Sequence, residues 1–281
     1  MPRTQVAPAS VSDRFSLAGR TVLLTGAAGF LGSALARGCL DAGARVILLS
    51  RSEALAGQAQ RYASAYGAAR VDWQRVDFRD RRALADAART LARRERVDVL
   101  VNNAQDMSVA SGFNDSTGTL EGAGPSQWGT AFSAVEWAAL MIQAVGEGMK
   151  QRGQGSIINI ASMYGVISPP PALYEGTRFM NPVTYGPAKA AIISLTKYVA
   201  AFWGPHGVRC NAVAPGPFPK SGPASRDKTV AEFLGRVASR TLLRRVGRAE
   251  ELVGPVLFLA SDASSFVTGH TLMVDGGWTA T

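Results

Sequence analysis

Tyr185 and Lys189, in Tyr185-Gly186-Pro187-Ala188-Lys189, stand four positions apart, so a helix projects both side chains from one face while Ala190, Ile192, Ile193 and Leu195 pack behind them. A free tyrosine titrates near pH ~10, so acid and base work near neutrality asks for roughly 3 units, about 4 kcal/mol, of stabilisation for its anion. An ammonium one helical turn away has the right sign of charge. Such pairs also occur on the exposed faces of ordinary amphipathic helices, so this one gains meaning only from what converges on it. Ser162, closing Ile158-Asn159-Ile160-Ala161-Ser162, is the first such group: a hydroxyl able to donate to an oxygen that gains charge during a reaction.

The elements that must position these residues alternate between strand and helix. Thr21-Val22-Leu23-Leu24 reads as a buried strand. Thr25-Gly26-Ala27-Ala28-Gly29-Phe30-Leu31-Gly32 follows it, and a helical pattern starts at Ser33. Strand, glycine-rich turn and helix is the context of a phosphate cradle, because the backbone can approach a pyrophosphate and the helix N-terminus offers unpaired N–H groups. A second strand, Arg45 to Leu49, ends at Ser50-Arg51-Ser52. A carboxylate at that point suits the ribose hydroxyls of NAD, whereas Arg51 suits the 2′-phosphate of NADP. The expected cofactor is therefore NADP, with NAD as the alternative.

Further along, the pattern predicts a helix from about Glu53 to Tyr66, a strand from Val71 to Val76 closing on Asp77-Phe78, and a helix from Arg81 to Arg94 with Leu84, Ala87, Ala88 and Leu91 on one stripe. Val97 to Val101 is a buried strand ending in Asn102-Asn103-Ala104-Gln105, polar residues where such sheets bind ligands. Met107 to Pro125 reads as a loop, about Ser126 to Gln151 as a long helix despite Gly146 and Gly148, Gly155 to Ile160 as a fifth strand, and Gly207 to Val213 as a sixth, stopping before Pro215-Gly216. The expectation is one α/β domain, a Rossmann-like doubly wound parallel sheet covered on both faces, over residues 15–281 behind a flexible tail at 1–14.

Bulk properties agree with a globular chain. There are 281 residues, 47% hydrophobic and 18% charged, with 30 glycines for tight turns. The formal charge is +9, and all but five of the 30 basic residues are arginines. They lie in mixed-sign runs such as Arg79-Asp80-Arg81-Arg82, which read as solvated helix faces, so an anionic cofactor is expected and nucleic acid is not. Cys39 and Cys210 read as two reduced, buried thiols, with no metal-ligand spacing around them or around His206 and His270. The opening residues lack the apolar core of a signal peptide and no run reaches ~18 apolar residues, which makes the cytoplasm the expected location and a membrane partner unexpected.

Taken together, the chain resembles the short-chain dehydrogenase/reductase family in its classical form. The resemblance is carried by the glycine loop Thr25 to Gly32, Asp77, Asn102-Asn103-Ala104, Ser162, Tyr185 with Lys189, Asn211-Ala212-Val213-Ala214-Pro215-Gly216 and the ending Val274-Asp275-Gly276-Gly277. It implies an NAD(P)-dependent oxidoreductase that interconverts a secondary alcohol and a ketone. Tyr185 would exchange the proton, Ser162 hold the substrate oxygen, and Lys189 favour the tyrosinate while binding the nicotinamide ribose. The dinucleotide would lie against Gly26, Ala28, Gly29, Phe30, Leu31, Ser50, Arg51, Asp77, Phe78, Asn103, Ala104, Pro215 and Gly216. The resemblance also implies a homo-oligomer, a dimer or tetramer.

Four departures from the family pattern carry expectations of their own. The spacing of Gly26, Gly29 and Gly32 is similar to the extended branch of the family, although the short length and the Val274 to Gly277 ending are not. Gln105 replaces a usual glycine. Ala134 aligns with an asparagine that serves a water-linked proton relay, which leaves a dinucleotide-binding regulatory or scaffold protein with weak catalysis as the other reading. Ser162 and Tyr185 stand 23 positions apart because of extra, proline-stiffened chain at residues 166–183. Tyr174, Glu175 and Arg178 make that insertion either a wall for a polar, sugar-derived substrate or a surface or subunit contact. Residues 216–240 read as a substrate lid.

Overall fold

The computed structural model describes residues 10–220 and 226–280. From the amino end come α1 (Val11–Phe15), β1 (Thr21–Thr25), α2 (Phe30–Asp41), β2 (Arg45–Ser50) and α3 (Leu55–Tyr66). Next are β3 (Val71–Arg75), α4 (Arg81–Arg94), β4 (Val99–Asn102), α5 (Pro125–Arg152) and β5 (Gly155–Ile160). The last third holds α6 (Tyr185–Trp203), β6 (Val208–Pro215), α7 (Lys228–Arg240), α8 (Val253–Ala260) and β7 (Thr271–Val274).

The seven strands among the described residues are all parallel, in the order β3-β2-β1-β4-β5-β6-β7. Alternate side chains on each strand feed opposite faces. Val22, Leu24, Val99 and Val101 join Leu35 and Leu40 of α2 and Val256 and Leu259 of α8, whereas Leu23 and Leu100 join Leu84 of α4 and Met141 of α5. Cys39 sits in the first of these clusters and Cys210 in the second. Because β1 pairs with both β2 and β4, successive strands are added in opposite directions from this point. A crevice opens there, beyond the carboxyl ends of β1 and β4.

The strongest local signals survive to the residue. The four apolar stripe residues of α4 are all buried, Asp80 caps its start by accepting from the Ala83 N–H at 2.9 Å, and Arg93 and Arg94 sit in its last turn. α5 runs through Gly146 because that glycine lies against the Trp203 indole of α6, and a Cβ there would overlap the ring. Three expectations need correction. Residues 11–14, read as loose tail, form most of α1, because Ser10 and Asp13 make a reciprocal capping box; residues 1–9 lie outside the described chain. Strand pairing extends β6 to Pro215, since Pro215 still lies opposite Val274. A seventh strand, β7, completes the sheet where the sequence reading had none.

Candidate active site

Every residue expected to bind dinucleotide or do chemistry lines a single cavity of about 770 Å³ at the crevice. Its floor is the glycine turn. Gly26 adopts φ +67°, and a Cβ on it would come within 2.9 Å of the Ala104 Cα; a Cβ on Gly32 would overlap the Gly26 carbonyl. Gly29 begins α2 with no side-chain cap, leaving the helix N–H groups facing the cavity. Asn103 fixes the turn by donating from Nδ2 to the Thr25 and Gly26 carbonyls, each at 3.2 Å. These backbone donors and tight approaches fit the pyrophosphate of a dinucleotide.

Ser50 and Arg51 stand at the end of β2 on the same cavity. Arg51 lies 3.6 Å from the Asp106 carboxylate, which Arg79 contacts more closely at 2.6 Å. Burial alone would raise the Asp106 carboxyl, but hydrogen bonds from Ser108 and the Arg79 guanidinium hold it below the usual carboxylate range. Arg79 thus answers most of the Asp106 charge, and the half-exposed Arg51 keeps a cation at the rim. Asp77 caps its own turn through the Arg79 N–H at 3.1 Å, and Phe78 packs edge-on against Trp137 with ring centroids 5.6 Å apart.

β5 delivers Ser162 in extended conformation, and its Oγ accepts the Tyr164 N–H at 3.2 Å. α6 begins with Tyr185, and its next turn carries Lys189, only 5% exposed. Lys189 Nζ donates to the Ile160 carbonyl at 2.9 Å and lies 5.7 Å from the centre of the Tyr185 ring. Burial pushes the Tyr185 phenol above its usual value and the Ser162 hydrogen bond pulls it back, with Tyr164 adding a further upward push. Burial also pushes the Lys189 ammonium down to about 8. The sequence reading expected the lysine to dominate the tyrosine; in the protein alone, desolvation does. Tyr185 therefore holds its proton at neutral pH.

Two further expectations are revised. Ala134 is buried with Trp137 and Met141 in the α4–α5 cluster, while its neighbour Val135 packs against Ala138, Ala161 and Ile192 beside Ser162 and Lys189. Neither position 134 nor 135 lines the cavity, whose α5 member is Trp137. The hydroxyl of the neighbouring Ser133 donates to the Thr130 carbonyl at 2.7 Å. Within the insertion, only Tyr174 of the three polar residues lines the cavity. Arg178 pairs outward with Asp227 at 2.6 Å, and the Glu175 carbonyl accepts from Arg236 at 2.8 Å.

Sequence reasoning missed most of the opposite wall. Phe113, Phe179 and Phe233 and Trp278 come from four separated segments and share no local pattern. Phe113 meets the Tyr185 ring edge-on at 5.0 Å, Phe179 stacks on Phe233 at 4.4 Å, and Trp278 faces Tyr164 at 6.5 Å. Only Trp278 had a signal, directly after Asp275-Gly276-Gly277. Asp275 accepts from the Gly277 and Thr279 N–H groups at 2.9 and 2.8 Å, and this turn swings the indole into the cavity.

A parallel sheet with a dinucleotide cradle at its switch point, and a serine, tyrosine and lysine beside it, defines a nicotinamide-dependent oxidoreductase. A family model described as enoyl-(acyl carrier protein) reductase matches residues 26–279. Gluconate 5-dehydrogenase of Gluconobacter oxydans (strain 621H) is 35% identical over 271 residues, 95% of this chain and 97% of that one. The crystal structure of a gluconate 5-dehydrogenase from Burkholderia cenocepacia J2315 in complex with NADP and tartrate superposes with a TM-score of 0.81 at 32% identity, over 97% of this chain and 100% of that one. A short chain dehydrogenase from Leptospira borgpetersenii with bound NAD+ gives 0.78 at 28% identity, over 99% of both chains. The chain belongs to the short-chain dehydrogenase/reductase family, in its classical form. It is an NAD(P)-dependent oxidoreductase interconverting secondary alcohols and ketones.

Proposed function

We propose that Tyr185 is the proton donor and acceptor at the substrate oxygen, with Ser162 hydrogen-bonding that oxygen and Lys189 holding the nicotinamide ribose. The observation that carries this reading is the meeting of all three side chains on the cavity that also contains the glycine cradle. When bound, the dinucleotide supplies or accepts the hydride. The chain's own part is to place the carbonyl oxygen between Ser162 and Tyr185. A phenol that keeps its proton at neutral pH suits reduction, since it has a proton to give as the oxygen gains charge. In the oxidative direction the same phenol must first lose that proton, so oxidation gains from alkaline pH. Gly26 to Leu31 would hold the pyrophosphate, Ser50 and Arg51 the adenosine 2′-phosphate, Asp77 and Phe78 the adenine side, and Asn103, Ala104, Pro215 and Gly216 the nicotinamide half.

The relatives named for gluconate support a polar or sugar-derived substrate. Residues 166–183 and the segment 216–240, of which residues 221–225 lie outside the described chain, would form its outer wall and lid, α7 being the described helix of the latter. A homo-oligomer, dimer or tetramer, is supported by aromatic surface on α6, where Tyr198 and Phe202 are 61% and 59% exposed and stack at 4.4 Å. Among the described residues no helix is long and apolar enough to cross a membrane, which is consistent with the cytoplasmic location we propose. The test is NADPH oxidation followed at 340 nm with a panel of ketones, wild type against Tyr185→Phe. Equal turnover by the two proteins would exclude the assignment.

A further inference from the structure

We infer that the substrate half of the cavity takes an uncharged ketone or alcohol bearing an apolar ring or chain, in preference to a sugar-acid anion. The inference rests on the oxidoreductase reading above and narrows its substrate.

Three observations carry it. First, the wall facing Ser162 and Tyr185 is aromatic and continuous. Phe179 stacks on Phe233, which lies 6.0 Å from Tyr174, and the Tyr174 hydroxyl is 3.5 Å from that of Tyr164, which faces Trp278. Rings this large, lining one side of a cavity, gain most from burying apolar surface.

Second, the nearby cations are engaged away from the cavity. Arg178 pairs with Asp227, Arg236 donates to the Glu175 carbonyl, and the Arg240 guanidinium lies 5.4 Å from the centre of the Trp278 ring. None of the three lines the cavity. Of the lysines that do, Lys189 donates to the Ile160 carbonyl and Lys220 is exposed to solvent. A carboxylate drawn in against these rings would lose its hydration without a buried guanidinium to replace it.

Third, the ionisable side chains of this wall carry no charge. Burial pushes the Tyr164 and Tyr174 phenols above their usual values, so this wall stays neutral over the working range of pH. Among sugar-derived compounds the pocket thus selects neutral ones with an apolar face over aldonates.

The test uses dead-end complexes, in which a ketone binds the NADP+-saturated protein and no hydride can move. Isothermal titration with trans-1-decalone, a neutral bicyclic ketone, should give a Kd at least tenfold below that of 5-ketogluconate. Phe233→Ser should weaken decalone about tenfold and leave the NADP+ Kd within twofold. If 5-ketogluconate binds as tightly as decalone or more tightly, the inference is overturned, and a loss of its binding in Lys220→Ala would show where the anion sits. Decalone binding that ignores Phe233→Ser overturns it equally. If decalone binds as expected but is not reduced with NADPH, the pocket assignment stands and the catalytic roles of Ser162 and Tyr185 fail instead.

Discussion

Replacing Arg51 with alanine isolates the charge that should separate NADP from NAD. Two unit charges about 4 Å apart interact by about 4 kcal/mol at an effective dielectric constant of about 20, and by about 1 kcal/mol in bulk water. Arg51 is 44% exposed, which places it between these limits, at about 2 kcal/mol. Asp106 competes for the same guanidinium, yet it is 1% exposed and closer to Arg79, at 2.6 Å against 3.6 Å. Most of the Arg51 charge therefore remains for a 2′-phosphate. The comparison is best made by calorimetry with adenosine 2′,5′-bisphosphate and 5′-AMP, which differ only in the group at issue. Arg51→Ala should weaken the bisphosphate about 30-fold, at about 1.4 kcal/mol per factor of ten, and 5′-AMP by less than twofold. Arg79→Ala should weaken the bisphosphate as well, because it transfers the demand of Asp106 onto Arg51. An equal loss for both nucleotides in Arg51→Ala would refute the assignment, since only the 2′-phosphate distinguishes them.

Tyr185→Phe should lower kcat by about 10³-fold or more and leave the NADP+ Kd unchanged, because only the proton is removed. Gly32→Ala should destabilise the fold by about 1–3 kcal/mol in urea titrations and weaken NADP+, since its methyl group meets the Gly26 carbonyl, a backbone atom with no room to shift. Ala134→Asn should cost about 1–3 kcal/mol without raising turnover, because its amide would enter an apolar cluster; a gain in kcat would return the relay to that position. Lys189 gives a pH signature. Its folded value of about 8 lies below the unfolded value of 10.5, so between these the unfolded chain binds more protons and stability rises with pH. Lys189→Met should therefore be stabilised relative to wild type at pH 7, by at most about 3 kcal/mol, and the difference should shrink as pH passes from 8 to 10.5. A difference independent of pH would show that Lys189 is not buried as a charge.

How far the sequence reached depended on whether a signal was local. α4 was legible because its apolar stripe, Leu84, Ala87, Ala88 and Leu91, lies within one short segment. The cradle, Ser162 and the Tyr185–Lys189 pair were legible because strand ends and helix starts place them without help from distant chain. The seventh strand was not, since Thr271–Val274 is short and is recognisable as a strand mainly by pairing with β6. The long helix was read correctly in extent, and Ala134, aligned with the family asparagine, lies in the apolar cluster between α4 and α5. The aromatic wall was the least accessible part. Phe113, Phe179, Phe233 and Trp278 acquire a common purpose only when four connections fold over the same opening.

The burial of Cys39 and Cys210 on opposite faces of the sheet has a practical side. Desolvation pushes both thiols up to about 12, so almost no thiolate forms at neutral pH and maleimides should ignore them. A cysteine introduced at the exposed position of Glu175 would then be the single reactive handle. A fluorophore attached there could follow the insertion as ligands enter, with the native sulfurs left in place.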